Sequence, residues 1–210
     1  MLKANSPTKK GKLTIITGPM FAGKTEELLR QIRRAQYAQK KIMIFKPSLD
    51  NRYSETEITS HINNKMTAIV INRGEEMEIS AYLKKKPGTE IIFLDELHFF
   101  DQEVVKILNK LVKKGHQVIA AGLDQDFRGR PFKSTAFLLA LAEKVVKLTA
   151  ICRICNEEAT MSQRLISSRP ALATDPVILP GRENIYEARC RSCHVVNKLI
   201  ASVGEKINRS

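Results

Sequence analysis

Gly18-Pro19-Met20-Phe21-Ala22-Gly23-Lys24-Thr25 is the stretch from which the fold can be read outward. It matches G-x-x-x-x-G-K-[ST], the pattern of a phosphate-binding loop. The residue types follow from the task. Backbone N–H groups must point inward at a polyanion, and glycines permit both the angles and the close approach. The helix that follows adds the positive end of its dipole. Lys24 can reach the β- and γ-phosphates of a nucleotide, and the Thr25 hydroxyl can ligate Mg²⁺. An ordinary strand-to-helix turn is the bland alternative. The flanks speak against it. Leu13-Thr14-Ile15-Ile16-Thr17 reads as a buried strand, and Leu28, Leu29, Ile32 and Ala35 line one face of a helix.

Further along, strands and helices alternate. Lys41 to Lys46 reads as a strand stopped by Pro47, and residues 48–67 as a polar, aperiodic loop. Ala68 to Ile71 predicts a strand and Glu75 to Lys86 a helix. Glu90-Ile91-Ile92-Phe93-Leu94 is the strongest strand signal and runs into Asp95-Glu96. Asp101 is placed to N-cap a helix carrying Val104, Val105, Leu108, Leu111 and Val112, which Gly115 closes. Gln117 to Ala121 is another strand, residues 134–142 a helix, and Lys144 to Ile151 extended chain. This alternation predicts an α/β fold, a parallel sheet flanked by helices. From Cys152 onward the chain reads as loop-rich.

The 210 residues carry 35 Lys and Arg against 22 Asp and Glu, a formal charge of +13. Apolar residues make up 43% and charged residues 27%, with 10 Gly and 8 Pro. That excludes collagen-like, low-complexity and wholly disordered chains. No stretch approaches the roughly 18 consecutive apolar residues of a membrane span. The start, Met1 to Lys10, is polar and basic without the apolar core of a signal peptide, so a cytoplasmic address and no membrane partner are expected. The positive charge fits either a polyanionic partner or solvated faces. Lys84-Lys85-Lys86 and Lys113-Lys114 each end a predicted helix, where cations suit the negative dipole end. The lysines are scattered and lack interleaved aromatics, so no stable nucleic-acid partner is expected.

Two further constellations carry chemistry. Asp95-Glu96 closes an apolar strand, where ligands gather in parallel sheets. Asp95 can hold Mg²⁺ while Glu96 faces a substrate as a base. Cys152-x2-Cys155 and Cys190-x2-Cys193 supply four thiolates for a tetrahedral, structural Zn²⁺. The interval from Cys155 to Cys190 exceeds the roughly 15–20 residues of a simple ribbon, so the intervening chain must loop out and return. His194 reads either as a substitute ligand or as a neighbour.

These motifs resemble, in order, those of the type II thymidine kinases, the cytosolic enzymes of human and bacterial type. The resemblance rests on Gly18 to Thr25, Asp95-Glu96-x-x-Phe99-Phe100, the run Gly122-Leu123-Asp124-Gln125-Asp126-Phe127-Arg128-Gly129-x-Pro131-Phe132, and the paired knuckles. It spans about residues 12 to 200. It implies ATP- and Mg²⁺-dependent phosphorylation of the 5′-hydroxyl of thymidine, and of deoxyuridine, in nucleotide salvage. It implies a P-loop core over 12–150, a zinc domain with a substrate-covering loop over 151–200, and tails at 1–11 and 201–210. A homotetramer and inhibition by dTTP also follow from it. Carried over, Glu96 is the base, with Lys24 and Arg52 as catalytic cations. Gly18 to Thr25, Asp50-Asn51-Arg52, Asp95, Glu96, Leu97 and His98 fall on the nucleotide side. Met20, Phe99, Leu123, Phe127, Phe132, Val177, Ile178, Leu179, Pro180, Gly181 and Tyr186 fall near the nucleoside. Read from the sequence itself, Arg52 fits a solvated surface equally well, and Phe127 fits a core or a stacking platform. Position 98 is usually Gln in the family and position 180 usually aliphatic. A zinc-containing, nucleic-acid-binding P-loop ATPase is the competing reading, motivated by the charge.

Overall fold

The computed structural model describes residues 10–48, 57–59, 65–177 and 186–197. Six strands form one parallel sheet: β1 (Lys12–Thr17), β2 (Ile42–Pro47), β5 (Ile69–Ile71), β6 (Ile91–Leu94), β7 (Gln117–Gly122) and β8 (Lys144–Lys147), in the spatial order β5-β2-β6-β7-β1-β8. The sequence explains why its central strands are buried on both faces. Leu13 and Ile15 of β1, Phe45 of β2 and Leu94 of β6 face one apolar layer, while Ile16, Ile44 and Phe93 face the other. The second layer is closed by α1 (Lys24–Tyr37), through Leu28, Leu29, Ile32 and Ala35. The first is closed by α2 (Glu78–Lys85), α3 (Glu103–Lys113) and α4 (Lys133–Leu141), with Val104, Ile107, Leu108 and Leu111 at helical spacing along α3.

Beyond the sheet the chain holds more regular structure than its composition suggests. Within the stretch read as an aperiodic loop, β3 (Glu57–Thr59) and β4 (Lys65–Thr67) pair antiparallel. After β8 come β9 (Ala150–Ile151), β10 (Glu158–Ala159), β11 (Met161–Ile166), β12 (Arg169–Pro170) and β13 (Tyr186–Arg189). Strands β9 and β10 form a small antiparallel ladder, and β11 pairs antiparallel with β12 on one side and β13 on the other. Pro47 does not precede the stop but occupies the last position of β2, opposite Ile71.

The cap expected of Asp101 is not formed. Its carboxylate instead takes the Arg73 guanidinium at 2.8 Å, and its own N–H is held by Glu76 Oε1 at 2.9 Å. Glu76 is buried and holds the residue before the helix, while among the described residues no side chain caps the first turn of α3. At the other end Gly115 adopts φ 95°, a left-handed angle that closes α3.

Leu108 is fully buried between α3 and the sheet. Leu108→Ala should lower unfolding free energy by about 2–5 kcal/mol in denaturant titration. Arg73→Ala, which removes an exposed ion pair, should cost about 1 kcal/mol or less.

Candidate active site and metal centre

All six parallel strands point their carboxyl ends at one edge, and the motif residues follow those ends. Gly18, after β1, has φ 146°, and a Cβ there would lie 2.3 Å from the Leu148 carbonyl oxygen. No other residue fits. Gly23, at φ 78°, turns the chain into α1, whose first residues are Lys24 and Thr25. Phe21 also has positive φ and is exposed. Pro19 is buried, while Met20, Ala22, Lys24 and Thr25 are half-buried. Lys24 Nζ donates to the Pro19 carbonyl at 2.6 Å, so the ammonium lies against the loop that would cradle phosphate. The Met20 N–H donates to Ser162 Oγ on β11 at 3.0 Å.

Asp95 and Glu96 follow β6. Asp95 is buried, its N–H donates to the Phe45 carbonyl, and its Oδ1 accepts the Glu96 N–H at 2.9 Å. With Thr25 it offers hard oxygen donors of the kind Mg²⁺ takes. Glu96 adopts φ 49° and ψ 43°, left-handed for a residue with a Cβ. The turn Leu97–Phe99 that follows packs against Gly122, where a Cβ would lie 2.8 Å from that of Leu97. His98 is buried. Its Nδ1 accepts the Leu123 N–H at 3.2 Å and stands 3.4 Å from Glu96 Oε2. Its ring lies 4.2 Å from that of Phe99 and 4.9 Å from that of Phe132. The resemblance puts His98 with the nucleotide residues; its contacts here include Glu96 and three residues assigned to the nucleoside, Leu123, Phe99 and Phe132.

The loop from Leu123 to Phe132 is held by its own backbone. Asp126 Oδ1 accepts the N–H groups of Arg128 and Arg130, each at 2.9 Å, and the Phe132 N–H donates to the Asp124 carbonyl. Phe127 is only 3% exposed. The Arg164 guanidinium lies over its ring at 3.9 Å and that of Arg128 at 5.1 Å. Arg164 is fully buried; its Nη1 donates to the Pro176 carbonyl and its Nη2 stands 3.7 Å from Asp175 Oδ2. Val177 and Tyr186 are half-buried. Asp50, Asn51, Arg52, Tyr53, Ile178, Leu179, Pro180 and Gly181 lie outside the described residues. Sequence reasoning missed Ser162, Gln163 and Arg164. Their segment carries no motif, and polar residues in an apparent loop region give no sign of burial.

Cys152, Cys155, Cys190 and Cys193 converge, with all four sulfurs within 4.8 Å of one another and no disulfide. Four sulfurs about 2.3 Å from one zinc would sit about 3.8 Å apart, so the cluster fits the ion. Burial pushes the Cys152 thiol up, but N–H groups of Cys155, Cys190 and Ile154 outweigh that and bring it down to about 6. The Cys190 thiol, together with burial, pushes Cys193 up to about 12. The four cannot all ionise without a cation among them. The His194 imidazole turns away from the cluster, with Nε2 2.9 Å from the Phe127 carbonyl oxygen.

Residues 11–194 match the family model described as thymidine kinase. Among solved structures, an ATPase domain is similar over 66% of this chain and 69% of that chain, at 13% identity and a TM-score of 0.45.

Purified protein should carry one zinc ion per chain by elemental analysis. Cys193→Ser should lose most of it. Acidification should release the metal as protons compete for the thiolates, detectable with a zinc-sensitive dye.

Proposed function

The chain belongs to the thymidine kinase family, and from that premise we propose that it transfers the γ-phosphoryl group of ATP to the 5′-hydroxyl of thymidine and of deoxyuridine, giving the monophosphates in nucleotide salvage. The observation that carries the reading is the placement of Gly18–Thr25 and Asp95–Glu96 at the ends of β1 and β6, on the same edge of the sheet. Phosphoryl transfer needs a phosphate cradle and a group to receive the proton of the attacking alcohol, side by side.

Each residue has a task in this reaction. The backbone N–H groups of residues 18–25 and the dipole of α1 bind the phosphates. Lys24 exchanges its bond to the Pro19 carbonyl for the β- and γ-phosphates. Glu96 accepts the hydroxyl proton as the oxygen attacks, and its backbone angle fixes where the carboxylate begins. His98, wedged between Phe99 and Phe132, stands beside that carboxylate and tethers Leu123. Phe127, Leu123, Phe99, Phe132, Met20, Val177 and Tyr186 bound the nucleoside, with Arg52 completing the charge around the phosphates. Thr25 and Asp95 would hold Mg²⁺, which neutralises phosphate charge when bound. Inhibition by dTTP, a cytoplasmic address and assembly as a homotetramer belong to the same proposal. Phe137 and Leu141, exposed on one face of α4, offer apolar surface that such an assembly would cover.

ADP release should depend on thymidine, proceed with deoxyuridine, and be indifferent to added DNA. Hydrolysis stimulated by DNA without any nucleoside would instead support a nucleic-acid-dependent ATPase. Glu96→Gln should lower kcat by about 10²-fold or more while ATP affinity stays within about twofold; an undiminished rate would refute its role as base.

A further inference from the structure

His194 sits at the crossing of two regions that the reaction does not obviously connect. Its backbone N–H donates to the Cys190 carbonyl at 3.0 Å, which makes it part of the second cysteine knuckle. Its side chain reaches the Phe127 carbonyl at 2.9 Å, in the middle of the loop from Leu123 to Phe132. A second route joins the same places. The amide of Gln163, 1% exposed, grips both backbone groups of Val195: Oε1 accepts the N–H and Nε2 donates to the carbonyl, each at 2.8 Å. The next residue on β11, Arg164, lays its guanidinium on the Phe127 ring. The knuckle thus touches Phe127 twice, once at its backbone through His194 and once at its ring through Gln163 and Arg164.

We infer that His194 is a positioning residue through which the zinc knuckle sets the nucleoside-binding loop. The inference rests on the functional reading of Phe127 and its loop given above. The chemistry is a single hydrogen bond, Nε2–H to the Phe127 carbonyl. A bond at this place acts on the nucleoside side. The phosphate loop follows β1, whose parallel pairing with β7 and β8 does not pass through His194. A metal ligand and a general fold staple would each behave differently, and both can be told apart from a positioning residue.

The test uses the full-length, zinc-loaded protein and three readouts: zinc per chain by elemental analysis, thymidine and ATP affinities by calorimetry, and steady-state kinetics. His194→Phe keeps a ring and removes the donor. It should retain zinc, weaken thymidine binding at least about fivefold, raise KM for thymidine more than it lowers kcat, and leave ATP affinity within about twofold. His194→Gln places an amide N–H near the position of Nε2 and should restore most of the thymidine affinity. Gln163→Leu, which cuts the second route, should show the same selectivity for thymidine over ATP. Unchanged thymidine binding in His194→Phe overturns the inference. So does loss of zinc comparable to Cys193→Ser, failure of the variant to fold, or equal weakening of both ligands, since each assigns His194 to the metal or to the fold at large. A wild-type protein that binds ATP but no thymidine overturns the functional reading itself, and this inference with it.

Discussion

Parallel pairing of β1 between β7 and β8 brings the Leu148 carbonyl to the place where a side chain on Gly18 would have to stand. Thr17 lies opposite Gly122 on one side and Lys147 on the other, and its carbonyl accepts the Leu148 N–H at 2.7 Å. The Thr17 hydroxyl donates to the Gly122 carbonyl at 3.0 Å, pinning the same register from the side chain. A slip of one residue would turn every side chain of β1 to the opposite face and carry Gly18 away from Leu148. Because both layers beside β1 are apolar, such a slip would not expose Ile15 and Ile16 but exchange them between two differently packed layers. The register is therefore held by that packing and by the Thr17 hydrogen bonds, and the phosphate loop inherits its position from them.

Glu96 shows the cost of placing a carboxylate at such an edge. A left-handed angle in a residue with a Cβ is unfavourable by about 1–3 kcal/mol. Several contacts hold it there. The Glu96 N–H bonds to Asp95 Oδ1, its carbonyl accepts the Phe99 N–H, and Leu97 is buried in the main core against Gly122. Burial of one leucine is worth about 1.5–3 kcal/mol, enough to offset the strain. The glycine at 122 is required as that at 18 is: a Cβ would overlap the turn that follows Glu96. Two glycines far apart in sequence thus admit the two halves of the candidate site.

How much of this could be read in advance depends on the range of the interaction. The phosphate loop, the β6 strand ending in Asp95-Glu96 and the cysteine pairs were legible because periodicity, glycines and spacing are local signals. Asp101 was misread because a local preference for capping lost to an arginine from another element, Arg73, and to the buried Glu76. The β3–β4 pair escaped because three-residue strands leave too little alternation to detect. Strand β11 escaped for a different reason: Met161, Ser162, Gln163 and Arg164 are all buried in succession, so these four show no alternation of apolar and solvent-facing residues. Its partners, the phosphate loop, Val195 and Phe127, are distant in sequence.

Arg164 makes the strongest case that this region is built for placement. A fully buried guanidinium is expensive, and among the described residues its Nε and Nη2 make no hydrogen bond. What it gains is the Pro176 carbonyl, the Asp175 carboxylate at 3.7 Å and the face of Phe127. A desolvated cation on an aromatic face is worth about 2 kcal/mol, which does not by itself repay the loss of water. An apolar side chain would fill the same space at lower cost. The arginine does what an apolar residue cannot: it holds one ring and the start of the segment after Asp175 in a single rigid fork, next to the amide of Gln163 that grips the metal knuckle. The stability given up there is exchanged for a fixed geometry around Phe127, a residue that the proposed function sets beside the nucleoside.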